Sequence, residues 1–141
     1  LNKGLWTVEG WVNFSDLSAN RGLFTIQSNS FYYDSSNSDI RWYYTYGTAT
    51  WSIPTISTGT WYHFAFVKHT SSNVTLYWDG TSVSTASVNS NFMFFDASTI
   101  YLGSNGTSSN PMHGYMEDFR ITEGLAKYTS NFTPPTGSLE G

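Results

Sequence analysis

The sequence contains no cysteine, and only 11% of its 141 residues are charged. The first absence excludes disulfide bridges, thiolate nucleophiles and thiolate metal sites. The charged fraction is less than half of the roughly 25% that is usual in soluble domains, and the formal net charge is −4. A protein that binds nucleic acid by counterion release needs a cationic surface, so we expect no nucleic-acid partner.

Long apolar runs and helix-forming residues are also missing. No apolar stretch approaches the roughly 20 residues of a membrane-spanning helix, so we expect no membrane insertion. Ala, Leu, Glu and Lys, which favour helices, are scarce. In their place the chain has 10 Phe, 10 Tyr, 6 Trp, 21 Ser, 18 Thr and 11 Asn. Such a composition favours strands and supplies enough aromatic side chains for the core of one domain.

Short runs of alternating hydrophobicity recur along the chain, separated by Ser, Asn, Gly and Asp. This spacing is typical of a β-sandwich or barrel. Residues 5–14 alternate, and residues 39–46 place Trp42, Tyr44 and Tyr46 on one face, as in a packed core. Residues 61–69 are apolar on both faces, which predicts a central strand. Asp79-Gly80 lies between two such runs and predicts a tight hairpin, because both turn positions need positive φ.

Four sequence blocks, in this order, resemble laminin G-like domains of the concanavalin A-like lectin/glucanase superfamily. They are residues 7–12, 59–65, 76–80 and, together with 101–103, 113–121. Residues 127–135 are similar to the ending common in phage and environmental virion proteins of this family. The resemblance implies an all-β jelly-roll sandwich of two antiparallel sheets over residues 1–135, followed by a tail or linker at 136–141. It also implies a virion or an extracellular, cell-surface location.

The sequence departs from the family pattern at its start. Members of the family usually have another strand before the opening block, whereas this chain starts at Leu1. Either that strand is missing or another segment fills its place. Because an uncovered edge strand pairs readily with other chains, we expect a partner chain or the C-terminal tail to occupy the position. A homo-oligomer or larger assembly is therefore one of the expected partnerships.

The carboxylate pattern argues against catalysis. Glucanases of this superfamily carry paired carboxylates at alternate positions of one strand (Glu-x-Asp-x-x-Glu), so that both face the substrate. Here Glu117 and Asp118 are adjacent and point to opposite faces, and Glu123 lies too far along the strand. No Gly-x-Ser-x-Gly nucleophile motif is present either. We expect a protein that is not an enzyme.

The resemblance implies one cofactor, a calcium ion at the rim of the sandwich. Calcium takes six to eight oxygen ligands from carboxylates, amides and carbonyls. The matching position in this sequence is Asp118, at the closing strand. The alternative for Asp118 is an ion pair with Arg120 or a cap on a nearby backbone N–H.

The candidate ligand-binding residues combine aromatic rings with amides and carboxylates, which together recognise sugars. They are Tyr32, Tyr33, Asp34, Asn37, Asp39 and Trp51 in one cluster and Asn105, Asn110 and His113 in a second. In a strand, Tyr32 and Tyr33 point to opposite faces, so one of them is expected to be exposed. Arg41 and Tyr43 lie opposite Trp42 and are expected to line a solvent-facing groove.

Two functions remain open from the sequence. The first is a non-catalytic binding or adhesion module of a virion or cell-surface protein, which holds glycan through its rim loops. The alternative is a structural assembly or decoration domain whose aromatic and hydroxyl-bearing faces pack on other protein chains. A low charge is compatible with both functions, because a surface of aromatic and hydroxyl groups binds either a sugar or another protein chain.

Overall fold

The structure, a computed structural model, describes residues 4–88, 99–104 and 110–136. These residues form two antiparallel five-stranded sheets and no helix, which confirms the all-β sandwich. None of them forms a helix that could cross a membrane. The strands are β1 (Trp6–Phe14), β2 (Arg21–Ile26), β3 (Asn29–Asp34), β4 (Asp39–Tyr44), β5 (Gly47–Ser52), β6 (Trp61–Lys68), β7 (Asn73–Trp78), β8 (Thr81–Ser87), β9 (Ile100–Leu102) and β10 (Gly114–Glu123).

Sheet A has the order β10-β1-β6-β7-β8, and sheet B has the order β5-β4-β3-β2-β9. The alternation in β1 decides which side chains face inward: Val8, Val12 and Phe14 are fully buried in the core. The predicted hairpin is confirmed, since Asp79 and Gly80 join β7 to β8 with φ of 51° and 79°. Both signs are positive, as this tight turn requires.

Aromatic side chains fill the space between the sheets. Phe31 stacks on Phe24 on one side and on Trp42 on the other, with ring centroids 4.3 and 5.0 Å apart. The prediction that Tyr46 shares this core is wrong, because Tyr46 is 72% exposed. Strand β4 ends at Tyr44, so Tyr46 lies in the following turn and no longer follows the alternation of the strand.

One end of the sandwich gathers the loops 15–20, 35–38, 53–60 and 110–113, and we call these loops the rim. Backbone hydrogen bonds tie them to the strands and to one another. They are Ser15 N to His113 O (2.7 Å), Gly22 N to Asn110 O (2.8 Å) and Gly59 N to Phe14 O (2.8 Å). The loops therefore form one continuous surface that joins the two sheets.

Residues 125–136, which we call the strap, cross the outer face of sheet A. Tyr128 and Phe132 stack on each other with centroids 3.6 Å apart, and Phe132 also packs on Tyr77. The strap contains no strand, so these residues do not fill the edge position that the family pattern leaves open. A partner chain at that edge stays a prediction.

Hydrogen bonds fasten the strap along its length. They include Thr7 Oγ1 to Leu125 O (3.0 Å), Lys127 N to Thr7 Oγ1 (2.9 Å), Ser82 N to Asn131 Oδ1 (2.9 Å), Phe132 N to Gly80 O (2.9 Å) and Trp11 Nε1 to Pro135 O (3.1 Å). Gly80 is required at its position, since a Cβ there would lie 1.9 Å from Phe132 O. The strap is thus an integral layer of the fold.

Candidate functional site

Arg21, at the start of β2, brings the two predicted clusters together at the rim. Its guanidinium forms an ion pair with Asp16 and donates to Pro111 O at 3.3 Å. The neighbouring Asn20 accepts from Ser35 N at 2.9 Å. The loop 35–38 and the loop 110–113 therefore meet on either side of β2. Sequence reasoning missed Arg21; the signal was a lone cation that directly follows a polar loop.

Asp34 and Asp39 lie directly opposite each other in the β3–β4 ladder, with Arg41 between their charges. Arg41 Nε lies 2.8 Å from Asp39 Oδ1 and 3.9 Å from Asp34 Oδ2. The hydrogen bond to Asp39 is the main reason why the pKa of Arg41 is raised. Asp34 also accepts from the backbone N and the Nδ2 of Asn37, at 2.9 and 3.1 Å. These bonds fix the loop before any ligand arrives.

The outer face of sheet B is polar and carries exposed tyrosine, and we call its residues Thr25, Ser30, Tyr32, Arg41 and Tyr43 the sheet B face. Tyr32 pairs with Arg41 across the strands, and Ser30 pairs with Tyr43. Tyr43 is 58% exposed. Burial is the main reason why the pKa of Tyr32 is raised, so its hydroxyl stays neutral. Arg41 and Tyr43 face solvent as predicted.

Two of the predicted ligand-binding side chains are in the core, and those predictions are wrong. Trp51 is fully buried, and its Nε1 donates to Val74 O at 3.0 Å. Tyr33 is 5% exposed and packs on Phe14, with centroids 5.9 Å apart. Neither ring presents a face to a ligand, because the inward positions of β3 and β5 are covered by sheet A.

The remaining predicted residues lie at the rim or outside the described residues. Asn37 and His113 are exposed, Asn110 is half-buried, and Asn105 lies outside the described residues. The structure thus gathers Tyr32, Asp34, Asn37, Asp39, Asn110 and His113 at one end of the sandwich. Their contact with a ligand stays a prediction.

Asp118 does not lie at the rim. It is the extra residue of a bulge in the middle of β10, with φ 51°, and its side chain is exposed. Within residues 4–88, 99–104 and 110–136, no group of three His, Asp or Glu could hold a metal ion. At the rim, Asp34 and Asp39 are already engaged by Arg41. The described donors therefore do not fit the calcium ion that the resemblance implied, and calcium binding stays an untested prediction.

The strap covers a cluster of charged groups that the sequence did not reveal. Glu9, on the outer face of β1, is fully buried, although carboxylates are seldom buried without partners. Tyr128 OH donates to it at 2.7 Å, and Lys127 Nζ lies 3.1 Å away. Arg120 Nη2 and His63 Nε2 lie 3.5 and 3.6 Å from its oxygens.

The electrostatics of this cluster favour the ionised carboxylate. Burial alone raises the pKa of Glu9, but the contacts with His63 and Tyr128 and the charge of Arg120 outweigh it, so the pKa is lowered. The pKa of Tyr128 is raised by burial and by its hydrogen bond to Glu9. Both carboxylate oxygens have partners, and the strap covers them, so this cluster stabilises the fold and offers no reactive group to solvent.

Comparison with known protein families gives a match over most of the chain. A laminin G family model of the concanavalin A-like lectin/glucanases superfamily matches residues 1–125. The chain belongs to this superfamily. No curated protein matches it.

Solved structures of the superfamily fold are similar at low sequence identity. A candidate carbohydrate binding protein from Bacteroides ovatus shares 15% identity and a TM-score of 0.68, over 84% of this chain and 37% of that one. Domains LG4-5 of the mouse laminin alpha1 chain share 16% and 0.60, over 86% and 37%. The Ruminococcus gnavus IT-sialidase CBM40, bound to alpha2,3 sialyllactose, shares 13% and 0.61, over 84% and 74%. The chain thus spans little more than a third of the first two proteins.

Proposed function

We propose that this chain is a non-catalytic glycan-binding module whose ligand lies on the sheet B face and the adjoining rim. The observation that carries the proposal is Tyr43, a 58% exposed ring beside Arg41 on an otherwise polar sheet surface. Support also comes from two similar folds, one named for carbohydrate binding and one bound to sialyllactose.

The chemistry of the face suits a sugar. An exposed Tyr ring offers an apolar surface on which a sugar ring stacks, and its hydroxyl remains free to hydrogen-bond. Arg41 on the same strand, and the exposed Thr48 that pairs with Tyr43 across the strands, supply further polar groups beside it. Because Asp39 and Asp34 already hold Arg41 in place, little side-chain freedom is lost when a ligand binds.

The charges of the face favour uncharged glycans. Asp34 and Asp39 together carry two negative charges against the single positive charge of Arg41, whose Nε and Nη2 both bond Asp39 at 2.8 and 3.2 Å. A carboxylate on the ligand would have to compete with Asp39 for the same guanidinium. We therefore expect neutral glycans to bind more tightly than sialylated ones.

Catalysis is not part of the proposal. A glycosidase needs one carboxyl group that donates a proton to the leaving oxygen. Asp34 and Asp39 are the paired carboxylates beside this face, and both contact the Arg41 guanidinium. They position Arg41, and we assign neither of them a role in hydrolysis.

The experiment is a glycan array followed by calorimetric titration with the best neutral oligosaccharide. We expect Tyr43→Ala to weaken binding at least tenfold, since it removes the stacking ring. Tyr46→Ala is the matched control, because Tyr46 is also exposed but lies in the turn outside the sheet B face. Equal losses in the two variants, or preferred binding of sialylated glycans, would contradict the proposal.

The biological setting that we propose is a virion or cell-surface protein in which this module mediates adhesion. It is supported by the similarity of residues 127–135 to the ending of phage and environmental virion proteins in the superfamily. Immunogold labelling of the source particles or cells with an antibody to this domain tests the location. Labelling confined to the cell interior would contradict it.

A second candidate function is a structural assembly domain, favoured by the edge strand β9. Its three side chains Ile100, Tyr101 and Leu102 are 42%, 37% and 54% exposed. An apolar edge strand is a template for pairing with another chain. Sedimentation velocity distinguishes the two functions: an oligomer that Leu102→Lys dissociates favours assembly, whereas a monomer that binds glycan favours the module.

A further inference from the structure

A second group of exposed aromatic side chains lies on sheet A, beyond the strap. Asn13 of β1 pairs with Trp61 of β6 on one side and with Tyr115 of β10 on the other. Asn13 belongs to the outward set of β1, because Val12 and Phe14 on either side of it are in the core. The three residues form a row across the outer face, which we call the Trp61 row.

Both rings of the Trp61 row are accessible. Trp61 is 37% exposed and Tyr115 is 67% exposed. Their centroids are 6.5 Å apart, and their planes are inclined by 40°. Asn13, which lies between their strands, is half-buried. The row therefore presents two aromatic surfaces with an amide between them.

The strap meets the edge of this row without covering it. Its attachment at that end is the hydrogen bond from Trp11 Nε1 to Pro135 O. Trp11 lies two residues before Asn13 in β1, so the outer face changes from covered to open between these positions. No core contact explains why β6 and β10 both place an aromatic residue at their first outward position.

The size of the exposed area indicates what could bind there. A fully buried aromatic side chain contributes about 150–250 Å², so the exposed fractions of Trp61 and Tyr115 amount to roughly 250 Å² at most. A stable protein partner needs about 800 Å² on each side. The two rings alone would supply less than a third of that area. Their flat apolar surfaces and the neighbouring amide suit a ligand with flat apolar faces and hydroxyl groups, as a pyranose chain has.

The charged residues near the Trp61 row indicate which class of ligand it would bind. The row itself carries no charged side chain, and the charged residue closest in register is Glu117, which is exposed and pairs with Trp11. With ten acidic and six basic residues in the chain, an anionic ligand would be repelled. A neutral saccharide is the ligand that meets both requirements.

We propose that Trp61, Asn13 and Tyr115 form a second saccharide-binding subsite for a neutral pyranose chain. Successive sugar rings stack on Trp61 and Tyr115, and the Asn13 amide hydrogen-bonds a hydroxyl between them. The subsite lies on the opposite sheet from the sheet B face and does not depend on it. Two sites in one module would raise its avidity for polysaccharides that reach both.

Trp61 provides its own probe, since it is the most exposed of the six tryptophans. We would measure acrylamide quenching of tryptophan fluorescence with cellohexaose, xylohexaose, laminarihexaose, mannohexaose and chitohexaose, and with sialyllactose as the charged comparison. At least one neutral hexasaccharide is expected to protect Trp61, and sialyllactose is not. Tyr115→Ala should raise the hexasaccharide concentration that gives half-maximal protection at least tenfold, whereas Tyr115→Phe should leave that concentration unchanged.

One further variant separates this proposal from the proposed function. Tyr43→Ala removes the ring of the sheet B face and should leave the protection of Trp61 unchanged, so either site can fail without the other. Circular dichroism melting of each variant confirms that it is folded. The proposal is overturned if no neutral hexasaccharide protects Trp61, if protection survives in Tyr115→Ala, or if sedimentation shows a dimer that Tyr115→Ala dissociates.

Discussion

The charged side chains on the outer faces of the two sheets differ in how far they are covered by other parts of the chain. On sheet A the strap covers Glu9, whose side chain has no exposed surface, and surrounds it with partners. On sheet B the carboxylates of Asp34 and Asp39 keep 12% and 11% of their side-chain surface exposed, and nothing among the described residues crosses them. The fold thus has a closed face, which is the part of sheet A under the strap and contributes stability, and an open face on sheet B, which is exposed to solvent.

The difference follows from the energetics of buried charge. A buried carboxylate is tolerated only when it is paired and hydrogen-bonded, and Glu9 depends on groups of the strap for that. Partly exposed ion pairs contribute little to stability, about 0–1 kcal/mol each. The Asp39–Arg41 pair therefore serves mainly to position side chains, whereas the Glu9 cluster holds a layer of the structure in place.

The largest expected effect comes from removing the buried carboxylate. Glu9→Ala leaves Lys127 and Arg120 without their counter-charge under the strap, and we expect the free energy of unfolding to fall by about 3 kcal/mol. Urea unfolding followed by fluorescence measures the change. Glu117→Ala, at an exposed carboxylate of the neighbouring strand β10, should change stability by less than about 0.5 kcal/mol. Similar values for the two variants would show that the buried cluster does not stabilise the closed face.

The next effect tests the contact between the strap and the β7–β8 hairpin. Gly80→Ala combines a strained φ of +79° with a Cβ that would lie 1.9 Å from Phe132 O, whereas Gly59→Ala has a similar φ of +77° and open space around it. The difference between the two variants therefore isolates the strap. Gly80→Ala is expected to be more destabilising by about 1–3 kcal/mol; equal losses in thermal or urea unfolding would refute the contact.

We expect acid to destabilise the closed face, because Glu9 loses its charge at low pH. Because the folded pKa of Glu9 is lowered from its ordinary value of 4.5, its contribution is fully present above that value and is lost as the pH falls through the lower folded pKa. Stability measured between pH 6 and pH 2 should therefore decline less in Glu9→Gln than in the wild type. Parallel pH profiles would indicate that other carboxylates account for the acid sensitivity.

The smallest effect on stability is expected on the open face. Arg41→Lys keeps a positive charge between Asp34 and Asp39 but removes the planar guanidinium, so the free energy of unfolding should change by less than about 1 kcal/mol. Binding of the neutral glycan should nevertheless weaken about tenfold, because in the proposed complex the guanidinium hydrogen-bonds the ligand. A large loss of stability with unchanged affinity would reverse the roles assigned to the two faces.

Local sequence patterns could predict the fold but only part of the site. The alternation in β1 and the Asp79-Gly80 turn are local signals, and the structure confirms both. Alternation also shows that Tyr32 and Tyr33 face opposite ways, yet it does not say which face is outward. Trp51 was misplaced for the same reason. The sequence pattern identifies a pair of faces, and only the packing of the second sheet decides between them.

The contacts that matter most at both faces are distant in sequence. Glu9 and Lys127 are 118 residues apart, and Arg21 and Pro111 are 90 apart. No local pattern could pair them, because their proximity follows from the closing of β10 on β1 and from the meeting of loops at the rim. The aromatic character of Trp61 and Tyr115 was visible in the sequence, but their place on one face was not.

Hydrogen–deuterium exchange with and without the best-binding neutral oligosaccharide tests the contrast between the two faces most directly. The account predicts slow exchange at the hydrogen-bonded strap amides of Lys127 and Phe132 in both states, and ligand-induced protection at β3 and β4, residues 29–44. Rapid exchange at these two amides, with ligand protection confined to residues 6–11 and 125–136, would contradict it.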